Sequence, residues 1–439
     1  MALRPIIIGA GAAGLGAARV LKDAGHMPIV LEARDRIGGR AWSRYDLGSH
    51  PVEMGAEFIH GTKGATWQLL HQYGLGSVFA YRNHGPEVLE HLDDTLRDQA
   101  SLGASSFFDV AEQVASTAAA NAGDQSVAAV LNQALGACLG DYSDAESRLY
   151  GNTFTVYVTE DLEKVGVRGI RDLLTADPAA EPDPNPDRNF RVAEGYSALW
   201  DRLSEGIDVR LGTEVRSITW DGQQVSLETS AGVIEGDAAI VTLPLGVLKS
   251  EAVRFSPPLP EEKLDAIAEL GAGVVNKIIL EFEEPFWPEQ MGLLFTNLDS
   301  QCFWPSGAGR ETSTPLLTWW TSGSMARRVA EDVPRAVEGA LADLQQIFAR
   351  ASLPPLRSVE AVCWGSDPYA QMAYSYVPVS DEGKEIHDAL ARPVGSLFFA
   401  GEATTRPPAS ASVPGAFESG RRAARELLEA VEARSAAAP

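Results

Sequence analysis

Ile6-Ile7-Ile8-Gly9-Ala10-Gly11-Ala12-Ala13-Gly14 decides the fold. Three β-branched residues running into a glycine read as a short strand buried on both faces. The alanine- and leucine-rich stretch 12–24 reads as a helix, and Gly25 stops it. Pro28-Ile29-Val30-Leu31-Glu32 reads as a second strand, which completes a βαβ unit. Gly9 permits the tight turn, Gly11 lets backbone approach a pyrophosphate, and Gly14 lets the helix pack close to the strand. The first helical turn, with Ala13 in it, offers free N–H groups to the phosphates. Glu32 ends the second strand, where a carboxylate accepts ribose hydroxyls and favours an unphosphorylated ribose.

The next residues extend this reading. Ala33-Arg34-Asp35-Arg36-Ile37-Gly38-Gly39-Arg40 brings two more glycines and puts Arg40 where it reaches a phosphate. Further on, Val209–Leu211, Val215–Trp220 and Val225–Glu228 alternate as strands, and Asp221-Gly222 between the last two signals a hairpin. Ala239–Val241, Val274–Phe282 and Leu397–Ala400 read as further strands. Residues 104–150, Pro334–Arg350 and Phe417–Val431 read as helical, with a frayed tail from Ala433. The Pro- and Asp-rich segment 176–188 reads as a surface loop.

Composition narrows the function. The 439 residues carry 36 Lys and Arg against 60 Asp and Glu, a net charge of −24. Such a chain lacks the basic surface that nucleic acid or an anionic membrane requires, while its field favours cationic ligands. Cys138, Cys302 and Cys363 form neither a disulfide framework nor a metal-ligand spacing. No apolar run reaches the length of a membrane span. A cytoplasmic protein without a metal site is the expectation.

Several separated motifs resemble the flavin-containing amine oxidases. They are Val30–Arg40, Glu53-Met54-Gly55-Ala56-Glu57-Phe58-Ile59-His60-Gly61 and Thr242-Leu243-Pro244-Leu245-Gly246-Val247-Leu248. Asn276-Lys277 with Pro285-Phe286-Trp287 is a fourth, and Phe399–Thr404 followed by Gly415–Gly420 is a fifth. The resemblance implies an α/β fold of two interleaved domains. A Rossmann-type FAD-binding domain would take residues 1–78, 190–270 and 390–439. A substrate domain of mixed sheet and helices would take 79–189 and 271–389. The resemblance also implies that FAD is touched by Gly9, Gly11, Ala13, Gly14, Glu32, Ala33, Arg34, Gly39, Arg40, Gly55, Ala56, Glu57, Val215, Trp364, Gly401, Glu402 and Val413.

Lys277 stands in an apolar strand, where an ammonium is costly unless paired. In the family such a lysine holds a water beside the flavin and serves reoxidation by oxygen. The implied chemistry is hydride transfer to the flavin from the carbon beside a neutral amine, with imine hydrolysis and release of hydrogen peroxide. His60 matches a histidine of spermine-type oxidases and is placed to bind or deprotonate an amine. Glu57 is expected to attract a cationic nitrogen, and Trp364 to lie near the flavin. Met372-Ala373-Tyr374 carries alanine where monoamine oxidases attach flavin through cysteine, so noncovalent FAD is expected. Tyr374 is the expected wall of a substrate cage. Ser412 stands where a second aromatic wall belongs, which favours a polyamine or other alkyl amine over an aromatic monoamine. The implied partners are a cationic amine and O2, with monomer and homodimer both open. Two alternatives stand beside this reading. One is an L-amino-acid oxidase using Arg310, Arg327 or Arg328 as a carboxylate clamp. The other is a flavin-bound interaction protein without turnover.

Overall fold

The computed structural model describes residues 3–101, 124–138, 143–169, 183–380 and 385–437, with positions 110, 114 and 116 besides. Much of the expected helical region 104–150, and residues 176–182 of the expected loop, lie outside the described residues. Within them, helices run over Val127–Cys138 and Asp144–Val158.

The opening stretch forms the predicted unit: strand Pro5–Ile8, helix Ala12–Asp23, strand Ile29–Leu31. These strands sit in a five-stranded sheet ordered Asp208–Arg210, Ile29–Leu31, Pro5–Ile8, Ala238–Val241, Leu397–Phe399. Every neighbouring pair is parallel. Alternate residues serve opposite cores, as a period of two requires. Ile7, Val30, Ile240 and Phe398 pack with Leu15, Trp200 and Leu427 on the helical face. Ile6, Ile8, Leu31, Val241 and Phe399 pack with Ile218, Leu227 and Ile267 on the other. There the predicted hairpin, Val215–Trp220 with Val225–Thr229, forms part of a four-stranded sheet.

The last helix is longer than expected, Val413–Ala437. Pro414 is tolerated in its first turn. Gly420 lets it lie directly on the glycine-turn helix, since a Cβ there would stand 1.9 Å from the carbonyl oxygen of Ala13.

The third large sheet has seven strands, ordered Leu356–Cys363, Val275–Phe282, Leu316–Ser322, Cys302–Pro305, Leu293–Thr296, Val88–Leu92, Thr95–Asp98. Ile278, Leu280, Phe282, Leu317 and Trp319 pack on Val337 and Leu344 of the helix Val333–Ile347. Lys277 and Trp320 are direct partners in the ladder, so they share the opposite face. A small sheet, Ile59–His60, Arg188–Val192 and Ser77–Arg82, supplies the remaining site residues. No helix among the described residues is long and apolar enough to cross a membrane.

Candidate active site

The first half of the site lies at the carboxyl ends of the parallel strands, where ligands bind in open α/β sheets. Gly9 has φ +104°, and Gly14 is forced to be glycine because a Cβ would stand 1.9 Å from the Gly9 carbonyl oxygen. The helix beginning at Ala12 has Gly11 as its N-cap and no side-chain cap. Its first N–H groups therefore await an acceptor. A Cβ at Gly11 or Gly401 would meet open space. Glu32 is buried and accepts from Ala10 N at 2.8 Å and Arg34 N at 2.9 Å. Those bonds orient the carboxylate and leave it further acceptor capacity. Thr213 N bonds to the Glu32 carbonyl at 2.8 Å, which brings Val215 to the same corner.

Two of the expected cofactor residues spend their side chains on protein. Arg34 forms a two-pronged pair with Asp367, at 2.9 and 2.5 Å, between the rings of Trp364 and Tyr369. Ala33 and Arg34 border a groove of about 650 Å³ whose far side is Ala361–Tyr369. Arg40 donates to the Ala373 carbonyl at 2.5 Å and to Glu402 at 3.1 Å, and Ser375 holds the other Glu402 oxygen. Gly39 lies against Gly11, with a Cβ there 3.4 Å from the Gly11 Cα.

The second half begins one step along the chain. Ala56 N bonds to the Arg40 carbonyl at 3.0 Å, and Gly55 is so tightly held that a Cβ would meet that same oxygen at 1.8 Å. Trp364 donates to the Met54 carbonyl at 3.0 Å, which seats its ring on this segment. Lys277 is 0% exposed and donates to the Gly55 carbonyl at 3.2 Å and to Glu57 at 2.5 Å. Glu57 also accepts from Arg191 Nε at 2.6 Å and from Trp304 Nε1 at 3.0 Å. Burial works to raise the Glu57 pKa, but Lys277 and Arg191 outweigh it and hold the acid below its ordinary value. Burial pulls the Lys277 ammonium down, against the opposing pull of Glu57 and Glu53.

The expectation that Glu57 waits for a substrate cation is thereby corrected. Both of its oxygens are already committed to protein donors. Arg191 and Trp304 escaped the sequence reading. In Asn189-Phe190-Arg191-Val192 the polar residues alternate with apolar ones, which ordinarily means polar outward. Here Asn189 and Arg191 are 1% and 2% exposed, and that inverted alternation becomes visible only once the strand's inner face is known.

His60 is held by Asn189. The Asn189 amide nitrogen donates to Asn83 Oδ1 at 3.0 Å, leaving its oxygen to accept from His60 Nδ1 at 2.6 Å. The proton therefore sits on Nδ1, and Nε2 presents a lone pair. Desolvation lowers the His60 pKa, against the opposing bond from Asn189. Phe58, Trp304 and Trp320 pack ring to ring at 5.5 and 5.6 Å. Tyr374 donates to the Tyr157 carbonyl at 3.1 Å, and burial pushes both phenols up. Phe58, Tyr157, Trp320 and Tyr374 nevertheless keep some accessible surface, as His60 does. They form an aromatic recess beside Lys277. Ser412 does not offer a free hydroxyl to it. That hydroxyl accepts from Gly415 N at 3.0 Å and donates to the Ala409 carbonyl at 2.7 Å, at the start of the helix that Val413 opens.

A nucleotide turn feeding an aromatic recess with a buried lysine defines a dinucleotide-dependent enzyme. The family model for flavin containing amine oxidoreductases matches residues 12–428, and the chain belongs to that family. Polyamine oxidase 2 of Arabidopsis thaliana is 31% identical over 447 residues, covering 96% of this chain and 87% of that protein. Lysine-specific histone demethylase 2 of Homo sapiens is 28% identical, covering 96% of this chain and 53% of that protein. The solved structure of cyclohexylamine oxidase from Brevibacterium oxydans superposes with a TM-score of 0.80 at 22% identity, covering 98% of this chain and 100% of that one. That likeness is one of fold. The cofactor is FAD. The residues present fit it: an uncapped helix start for the diphosphate, Glu32 for the ribose, and open space over Gly11 and Gly401.

Proposed function

We propose that this chain oxidises a polyamine or another alkyl amine in its uncharged form, with dioxygen as the final acceptor and hydrogen peroxide as the by-product. The observation that carries the reading is His60, an imidazole with its proton fixed on Nδ1 by Asn189, two residues after Phe58, whose ring packs on Trp304 beside Lys277. When bound, FAD supplies the acceptor for a hydride from the carbon next to the amine nitrogen. Nε2 of His60 accepts an N–H of the substrate and takes up a proton when an ammonium arrives. Tyr157, Trp320 and Tyr374 hold the alkyl chain and keep water from the reacting carbon. The imine product then hydrolyses to a carbonyl compound and an amine.

The similarity to polyamine oxidases supports a polyamine, as does the absence of an aromatic residue from Arg406–Pro414. An amino-acid substrate is less well served. Arg310 donates to the Ala193 carbonyl, Arg327 is paired with Glu160, and Arg328 is exposed.

Mixing the protein anaerobically with spermidine, spermine, putrescine, cyclohexylamine and several L-amino acids is the test. Loss of the visible flavin band with the amines, spermidine or spermine fastest, is the expected result. Loss with amino acids alone would overturn it. A second expected result concerns attachment. Ala373 is buried where a covalent link would need a thiol, so acid precipitation should leave all FAD in the supernatant. Yellow colour in the pellet would contradict it.

A further inference from the structure

We infer that Glu57, clamped by Arg191 and Trp304, is the positioning residue for Lys277: it holds the ammonium in place and keeps it charged, and it is not a substrate ligand. The geometry is complete. One oxygen faces Arg191 Nε at 2.6 Å, and the other faces Lys277 at 2.5 Å and Trp304 Nε1 at 3.0 Å. Arg191 has no freedom to leave. Its remaining nitrogens donate to the Ala308 carbonyl at 3.1 Å and the Pro305 carbonyl at 3.2 Å, and its plane lies over Phe58. Lys277 is bounded by the Gly55 carbonyl and by the Trp304 ring, 5.4 Å from its nitrogen.

Charge decides what this arrangement does. One carboxylate is shared by two cations, all three at most 5% exposed. The other titratable group facing Lys277 is Glu53, and burial raises its pKa to about 7. Glu53 is held elsewhere, by Ser43 Oγ at 2.9 Å and Tyr196 N at 2.9 Å. Neutralising Glu57 would leave two buried cations near each other with at best a partly ionised acid behind them. Arg191 cannot give up its proton, because a guanidinium stays protonated in proteins. Lys277 can, and it therefore becomes the group that titrates.

The test is a pH titration of the FAD-loaded protein without substrate. It follows the visible band and the tryptophan band to which Trp304 contributes, alongside the pH profiles of kcat and kcat/KM. Glu57→Gln is expected to show one ionisation that the parent lacks, besides that of Glu53 which both share, in both the substrate-free spectra and the rates. The double variant Glu57→Gln with Lys277→Met is expected to lose it, which identifies the group. Where Glu57→Gln yields too little folded protein, Glu57→Asp is read in its place. That variant keeps the charge but reaches less far, and it should show the same ionisation at higher pH. Two results would overturn the proposal: a Glu57→Gln titration that matches the parent, or a rise in KM for charged amines with spectra and profiles unchanged. The inference rests on the flavin site and not on the choice of amine, so the substrate-free titration fails independently of the amine panel.

Discussion

Gly14→Ala is expected to yield protein almost without flavin. A methyl group there would stand 1.9 Å from the Gly9 carbonyl oxygen and 3.3 Å from Ile7 Cγ2. The first neighbour is backbone and cannot turn aside. The helix must slide off the strand, and overpacking of this kind costs about 1–3 kcal/mol. The uncapped N–H groups move with the helix. A loss of even about 1.4 kcal/mol in FAD binding is a tenfold loss of affinity. The ratio of visible to ultraviolet absorbance of the purified protein measures it, and a ratio equal to the parent's would refute the argument. Gly11→Ala separates space from stability. Its methyl group meets nothing in the protein, so the flavin-free thermal midpoint should stay where it is while FAD affinity falls.

Lys277→Met is expected to slow reoxidation by oxygen about a hundredfold, the scale on which removing one preorganised charged donor acts. The folded protein should survive the change. Methionine fills similar volume, and the large cost of removing one buried ionic partner comes from leaving the other charge uncompensated, which does not happen here. Glu57 keeps Arg191. Stopped-flow separates the two half-reactions, with anaerobic mixing for reduction by amine and aerobic mixing for reoxidation. Reoxidation at the parent's rate would remove Lys277 from that step.

The nucleotide half of the site was legible because it is local. Gly9, Gly11, Gly14 and Glu32 fall within one βαβ unit, where turn geometry requires Gly9 and helix–strand contact requires Gly14. The recess was legible only in part. A lysine among Val275, Ile278 and Ile279 announced that something must pay for its burial, yet nothing nearby names the partner. Glu57 is 220 residues away in sequence, and Trp304 lies 247 residues from Glu57. Such pairings belong to the assembled sheets and not to any window of sequence. The misreading of Glu57 has the same root. An acid close to the flavin motif looks available until Arg191, 134 residues on, is seen to occupy one of its oxygens. Ser412 was read as a small residue in an aromatic's place, and its hydroxyl is engaged for a local reason, because a serine just ahead of a helix is claimed first by the helix's own orphan N–H groups.

The order of strands in the parallel sheet has a consequence for how the molecule is born. Its far strand, Leu397–Phe399, pairs with Ala239–Val241, and the helix beyond it lies along Ala12–Asp23. In a chain made from its amino end, the glycine turn appears long before the strand and helix that cover it. Ile7 and Leu15 would face water, or a chaperone, through most of synthesis. Flavin capture on this view waits for that strand and helix.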